Sequence, residues 1–164
     1  MNIQESVKMA LENELKGKEM YDKFADRAKN NVTKRTFEFL AAEEVKHIEA
    51  IRNFDQSVQA KPEGPTSFDE IRSIFEQSIE HFDRQAKPES DDIEAHRLGM
   101  DLEQKSHDLY KRLSEEAADE NVKRFFVFLM DQENAHFILI QKAYDFISDP
   151  EGFYAETEGR VMEG

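Results

Sequence analysis

Apolar residues recur alternately three and four positions apart along four long stretches of this chain, and acid interrupts each stripe near its middle. The second stripe runs Phe37, Leu40, Glu44, His47, Ile51, Phe54 and Val58, and the fourth Phe126, Leu129, Glu133, His136, Ile140, Ala143 and Ile147. In the same register the first gives Val7, Ala10, Glu14, Gly17, Tyr21, Phe24 and Ala28, and the third His96, Gly99, Glu103, Ser106, Tyr110, Leu113 and Ala117. This spacing marks the inward seam of a helix in a bundle. A carboxylate on such a seam costs several kcal/mol or stays protonated unless something neutralises it.

Turn and cap residues set the limits. The first helix reads from about Ile3 to Asn30, with Asn30-Asn31 as a tight turn, and the second from Thr33 to Ala60, where Lys61-Pro62-Glu63-Gly64-Pro65 breaks it. Ser67-Phe68-Asp69-Glu70 has capping-box spacing and opens a shorter helix with an apolar stripe of Phe68, Ile71, Phe75, Ile79 and Phe82, before Pro88. Ser90-Asp91-Asp92 offers N-caps for a third long helix to about Ala118, and Asp119-Glu120-Asn121 turns into a fourth that reaches Ile147. Asp149-Pro150-Glu151-Gly152 closes it, leaving a tail, 149–164, without a strong pattern that either packs on the bundle or frays. The expected architecture is all-α: a four-helix bundle over 1–148, with one long crossover, 61–90, containing the short extra helix. That order is the ferritin-like arrangement.

The two halves repeat. Glu44 and Glu133, His47 and His136, and Glu14 and Glu103 are each 89 residues apart, and Tyr21/Tyr110, Ala28/Ala117, Lys34-Arg35/Lys123-Arg124, Phe37/Phe126 and Phe39-Leu40/Phe128-Leu129 share the offset. One helical hairpin therefore appears twice. The short turns bring Glu14 level with Glu44, and Glu103 level with Glu133, to within about one helical turn.

Composition narrows the chemistry. Of 164 residues, 38% are hydrophobic and 35% charged, enough for helices that each bury one stripe. A net charge of −14 argues against nucleic acid, whose phosphates require clustered Lys and Arg. With no Cys the chain itself forms no disulfide, Cys-bound zinc or iron–sulfur centre, so any redox iron must be held by O and N ligands. The first residues lack a signal-peptide pattern and no apolar run reaches the ~18 residues of a membrane span, so the expectation is a cytoplasmic protein with no membrane partner.

Glu14, Glu44, His47, Glu103, Glu133 and His136 are the candidate metal ligands. Two Glu-x-x-His motifs and two further acids, all on inward seams, suit a two-metal carboxylate site; a pair of buried Glu–His ion pairs without metal is the plainer alternative. Tyr21 and Tyr110, seven residues after Glu14 and Glu103, are candidate catalytic residues whose hydroxyls would bond to the acids; as ordinary core tyrosines they need only some partner. Gly17, with Ser106 at the matching place, leaves space beside the acids. Glu12, Glu19, Glu43 and Glu49 fall off the stripe and read as solvated. His96 reads as a core or bundle-end histidine, His81 lies in the crossover, and His107 reads as a surface or hydrogen-bonded residue that could approach the site.

These residues together resemble the ferritin-like di-iron carboxylate proteins, and within them the rubrerythrin group, over roughly residues 3–148. The resemblance rests on Glu14 with Gly17 and Tyr21, Glu44-x-x-His47, Glu103 with Tyr110, and Glu133-x-x-His136. It implies two Fe ions, with Mn or Zn as substitutes, bridged by Glu44 and Glu133, bound terminally by Glu14 and Glu103, and completed by His47 and His136. It also implies oxidation of Fe(II) with reduction of O2 or H2O2, an external electron donor, and a homo-oligomer, a dimer being favoured. Two features depart from the group: Ser106 stands where a further glutamate is usual, and the Cys-rich rubredoxin domain is missing. Iron storage or handling, and a metal-free structural bundle, are the alternative functions.

Overall fold

A computed structural model describes residues 2–54, 66–80, 82 and 89–163, with side chains through residue 156. Six helices occupy them: α1 Ile3–Arg27, α2 Asn31–Arg52, α3 Phe68–Ile79, α4 Ser90–Glu116, α5 Glu120–Ser148 and α6 Pro150–Glu163. The described residues contain no strand, and none of their helices is long and apolar enough to cross a membrane. The expected positions Val58, His81, Pro88 and the Lys61–Pro65 breaker lie outside the described residues.

Side-chain caps start four of the helices. Asn2 and Glu5 close a reciprocal capping box on α1, Asn30 accepts from the Thr33 amide at the start of α2, Ser67 from Glu70 in α3, and Asp119 from Asn121 and Val122 in α5. The expected N-cap run Ser90-Asp91-Asp92 works differently, because Glu89 occupies the cap of α4 without a side-chain bond. Asp92 instead reaches across to the α1–α2 turn. Its carboxylate accepts from the amides of Lys29 and Asn30 at 3.0–3.1 Å and from Asn30 Nδ2 at 2.7 Å, which fastens the end of one hairpin to the start of the other.

The turns at 28–30 and 117–119 are short, so α1 packs along α2 and α4 along α5 as two hairpins, while α3 bridges α2 and α5. Two apolar layers form. One gathers Phe37, Leu40, Ile71, Leu139, Ile140 and Phe146; the other gathers Ile51, Leu113, Val122, Phe125, Phe126 and Leu129. The acid-bearing middle of the bundle lies between these layers and inherits their exclusion of water.

One expectation changes and one open alternative is decided. Phe68 begins α3 and is exposed rather than part of its apolar stripe, since the first residue of the helix overhangs the bundle, whereas Ile71 and Phe75 are buried. The tail is helical: α6 brings Phe153 and Tyr154 edge-on against Phe146 at 5.0 and 5.6 Å, with Phe153 also 5.9 Å from Phe75. These rings, with the Tyr154 hydroxyl donating to the Ile79 carbonyl at 3.4 Å, dock the start of α6.

Candidate metal centre

Each long helix delivers its mid-stripe acid inward. Glu14, Glu44, Glu103 and Glu133 are 1–2% exposed, His47 3% and His136 0%. One ligand atom each from Glu14, Glu44, His47 and Glu133 lies within 4.8 Å of the others, and the same holds for Glu44, Glu103, Glu133 and His136. The six side chains chosen from the sequence thus meet in two overlapping groups of four. Glu44 and Glu133 belong to both.

The imidazoles stack, 5.3 Å between centroids and 13° apart, and turn corresponding atoms to the acids. His47 Nδ1 lies 3.4 Å from Glu14 and 3.5 Å from Glu133; His136 Nδ1 lies 3.6 Å from Glu103. Yet both nitrogens of both rings, Glu103 Oε2 and Glu133 Oε1 are buried without a hydrogen bond. Buried polar atoms are nearly always satisfied, so unsatisfied imidazole nitrogens and carboxylate oxygens within the two groups of four call for a missing partner. Cations between the two groups of four would supply it, and O and N donors of this kind suit Fe(II), Mn(II) or Zn(II). The residues present fit a pair of divalent ions.

Electrostatics describe the same crowding. Burial and the charges of Glu103 and Glu14 push the Glu133 carboxyl well above the usual carboxylate range. Burial works against ionisation of Glu103 too, but contact with Glu133 and His136 draws it below its ordinary value. Burial opposes a charge on His136, and the facing Glu103 and Glu43 outweigh it, raising the ring to about 10. Without metal the cluster therefore holds protons on Glu133 and His136, which divalent ions would displace.

The tyrosines cross between hairpins. Tyr21 donates to Glu103 Oε1 at 2.6 Å and Tyr110 to Glu14 Oε1 at 2.7 Å. Burial, then the adjacent glutamate, holds both phenols well above their ordinary pKa, so each stays a donor. Asn13 supports one of them, donating to Tyr110 at 3.2 Å and to Ser106 at 2.9 Å.

Glu43 overturns its sequence reading. It is 2% exposed rather than solvated, with its Oε1 3.6 Å from His136 Nε2 and accepting from the Thr66 hydroxyl, and its Oε2 3.1 Å from Lys46 Nζ. Burial resists its ionisation, but His136 and Thr66 lower it to about 2. A carboxylate off the seam can be buried where the crossover covers it. Its offset partner Gln132 is likewise buried, at 5% exposed, and lies off the seam as Glu43 does, so periodicity marked neither. Glu12, Glu19 and Glu49 are exposed as expected.

The other histidines stand apart. His96 is fully buried one layer away, with Nδ1 2.7 Å from the Asp92 carbonyl and its ring edge-on to Phe37. His107 is partly exposed and lines a cavity of about 120 Å³ with Glu103, Gln104, Glu133, Asn134 and Phe137, which reaches two of the buried acids from the α4–α5 surface.

The rubrerythrin family model matches residues 5–144. The chain belongs to the rubrerythrin family. Comparison with curated proteins and with solved structures finds no match. Membership and the buried cluster of carboxylates and imidazoles together point to di-iron binding.

Proposed function

We propose that this member of the rubrerythrin family is a di-iron oxidoreductase that oxidises Fe(II) and reduces O2 or H2O2. The observation that carries the reading is the pair of overlapping groups of four, sharing Glu44 and Glu133, whose imidazoles and two of whose carboxylates hold unsatisfied buried atoms. Glu14 and His47 would hold one iron, Glu103 and His136 the other, and Glu44 and Glu133 would bridge. Four carboxylates balance two divalent ions. Such a pair supplies two electrons to an oxidant bound beside it.

The protein's own contribution is positional and protonic. The apolar layers on either side keep bulk water from the middle of the bundle. Tyr21 and Tyr110 fix one oxygen each of Glu103 and Glu14, and each carries a proton beside the centre. The cavity beside Glu103 and Glu133 gives a small oxidant or ion an approach from the α4–α5 face.

Anaerobic titration with Fe(II), followed by O2 or H2O2 in parallel, tests the proposal. Two irons per chain, with rapid oxidation by one oxidant, are expected. Glu44→Ala and Glu133→Ala should each abolish tight binding, and stoichiometric iron in both variants would remove the ligand set.

A further inference from the structure

The repeat that builds the centre is broken at one pair of positions beside it. Glu43 precedes Glu44 and Gln132 precedes Glu133, 89 residues apart, so the two hairpins carry a carboxylate and a neutral amide at corresponding places. Both are buried, at 2% and 5% exposed, and both meet Thr66 at the start of the α3 segment. The Thr66 hydroxyl donates to Glu43 Oε1, and the Thr66 amide donates to Gln132 Oε1 at 3.0 Å.

What differs is what faces the far nitrogen of each histidine. His136 turns Nδ1 toward Glu103 and Nε2 toward Glu43 Oε1, each at 3.6 Å, so its ring is held between two carboxylates. His47 turns Nδ1 toward Glu14 and Glu133 in the same sense; neither ring makes a hydrogen bond at Nε2, but among the described residues no carboxylate pairs with that nitrogen of His47 as Glu43 does with His136. Gln132 offers its oxygen to the Thr66 amide instead. A ligating imidazole whose far N–H faces a carboxylate is locked in one tautomer and orientation and becomes a stronger donor, an effect worth 10–100-fold in metal affinity.

We infer that Glu43 is a positioning residue that acts through His136 and makes the two metal positions unequal, the His136–Glu103 position being the tighter. The inference rests on the metal-centre reading above. Glu43 is in neither group of candidate ligands; its carboxylate orients His136 and strengthens its Nδ1 as a donor. Gln132 leaves the His47–Glu14 position without that support, so a two-fold repeat yields an ordered pair. The first ion fills the His136 side, and the second, more readily lost, fills the His47 side.

Anaerobic titration of the full chain with Co(II), monitored by absorbance and by paramagnetic proton NMR, reads both positions. Two ions per chain are expected, the first at least about tenfold tighter, with one ring N–H resonance exchanging slowly. Glu43→Gln keeps the shape and an acceptor oxygen but removes the charge. It should weaken the tighter step 10–100-fold, leave the other, and speed exchange of that N–H. Gln132→Glu should tighten the weaker step. Thr66→Val removes the hydroxyl contact but keeps both carboxylates facing His136, and should preserve the two-step order. If Glu43 only tethers the Thr66 segment, Glu43→Gln and Thr66→Val will both lower thermal stability without changing either affinity, and the inference fails. Equal affinities in the wild type also overturn it while leaving a two-metal centre standing; no Co(II) uptake by the wild type removes that centre and the inference together.

Discussion

Tyr21 on α1 donates its hydroxyl proton to Glu103 on α4 at 2.6 Å, which ties the acid of one hairpin to the helix of the other. Tyr110 returns the bond to Glu14 at 2.7 Å. Removing a donor from a buried carboxylate costs about 1–3 kcal/mol, because no water replaces it. Tyr21→Phe and Tyr110→Phe should each lower Tm by a few degrees and loosen metal binding, measured by thermal scans with and without Mn(II). A Tm unchanged in both would mean that the hydroxyls fix nothing.

The Glu133 carboxyl is held well above the ordinary carboxylate range. Burial and the charges of Glu103 and Glu14 leave it protonated in the metal-free bundle. Replacing it with Gln keeps the volume and a donor while removing the titrating site. Glu133→Gln should therefore match or exceed the wild-type Tm in chelator, by up to a few degrees, yet gain nothing on adding Mn(II), whereas the wild type gains in proportion to occupancy. A metal-dependent Tm rise as large as the wild type's would exclude Glu133 as a bridging ligand.

Two glycines on inward seams make opposite predictions. A Cβ at Gly17 would come within 3.2 Å of Glu44 Oε2, the end of a side chain that can give way. Gly17→Ala should leave stability unchanged or raise it by up to about 1 kcal/mol through helix propensity, while displacing the Glu44 carboxylate and weakening metal binding. At Gly99 the added carbon meets Phe37 at 3.1 Å and Ile140 at 3.2 Å, both packed in an apolar layer. Gly99→Ala should destabilise by about 1–3 kcal/mol. Denaturant midpoints beside metal titrations separate the two cases.

Much of this was legible in the sequence because the bundle writes its seam with a fixed spacing. Phe37, Leu40, Glu44, His47 and Ile51 are all buried in the register that alternating steps of three and four assign. The 89-residue offset then marked which acids converge. Glu43 escaped that logic, since its burial comes from Thr66 in the crossover and not from its own helix face. Asp92 escaped it as well, having the chemistry of an N-cap but serving a neighbouring turn. Both errors share a cause: periodicity reports which side of a helix meets the core, and says little about which loop comes back to cover the rest.

His96 gives the fold an acid limit independent of the metal cluster. Burial lowers its pKa from 6.5 to about 4, and Nδ1 faces the Asp92 carbonyl, so the ring is neutral in the folded state. The unfolded chain binds the proton first as pH falls. The stabilising contribution is thus complete above 6.5, declines between 6.5 and about 4, and is lost below that. Its full extent is about 3 kcal/mol. His96→Leu should flatten the fall in chelator-treated stability across this window, read by urea unfolding at pH 7, 5.5 and 4.5. Parallel curves for variant and wild type would remove His96 from the account.

The cavity of about 120 Å³ between α4 and α5 distinguishes the two faces of the bundle. Its rim carries Gln104, His107 and Asn134, whose counterparts at the 89-residue offset are Leu15, Lys18 and Val45. Leu15 and Val45 are exposed apolar residues, 41% and 36%, so at two of these three places the α1–α2 face presents hydrocarbon where the α4–α5 face presents polar groups. A hydrated ion sheds water more readily against amide and imidazole groups than against hydrocarbon. Asn134→Leu should therefore slow Fe(II) uptake on the order of tenfold, equivalent to about 1.4 kcal/mol of added barrier. The final stoichiometry should stay the same, since no ligand changes. Val45→Leu, the matching substitution on the other face, should leave the rate alone. Stopped-flow mixing with Fe(II) under nitrogen measures both, and equal rates in the two variants and the wild type would mean that ions enter elsewhere.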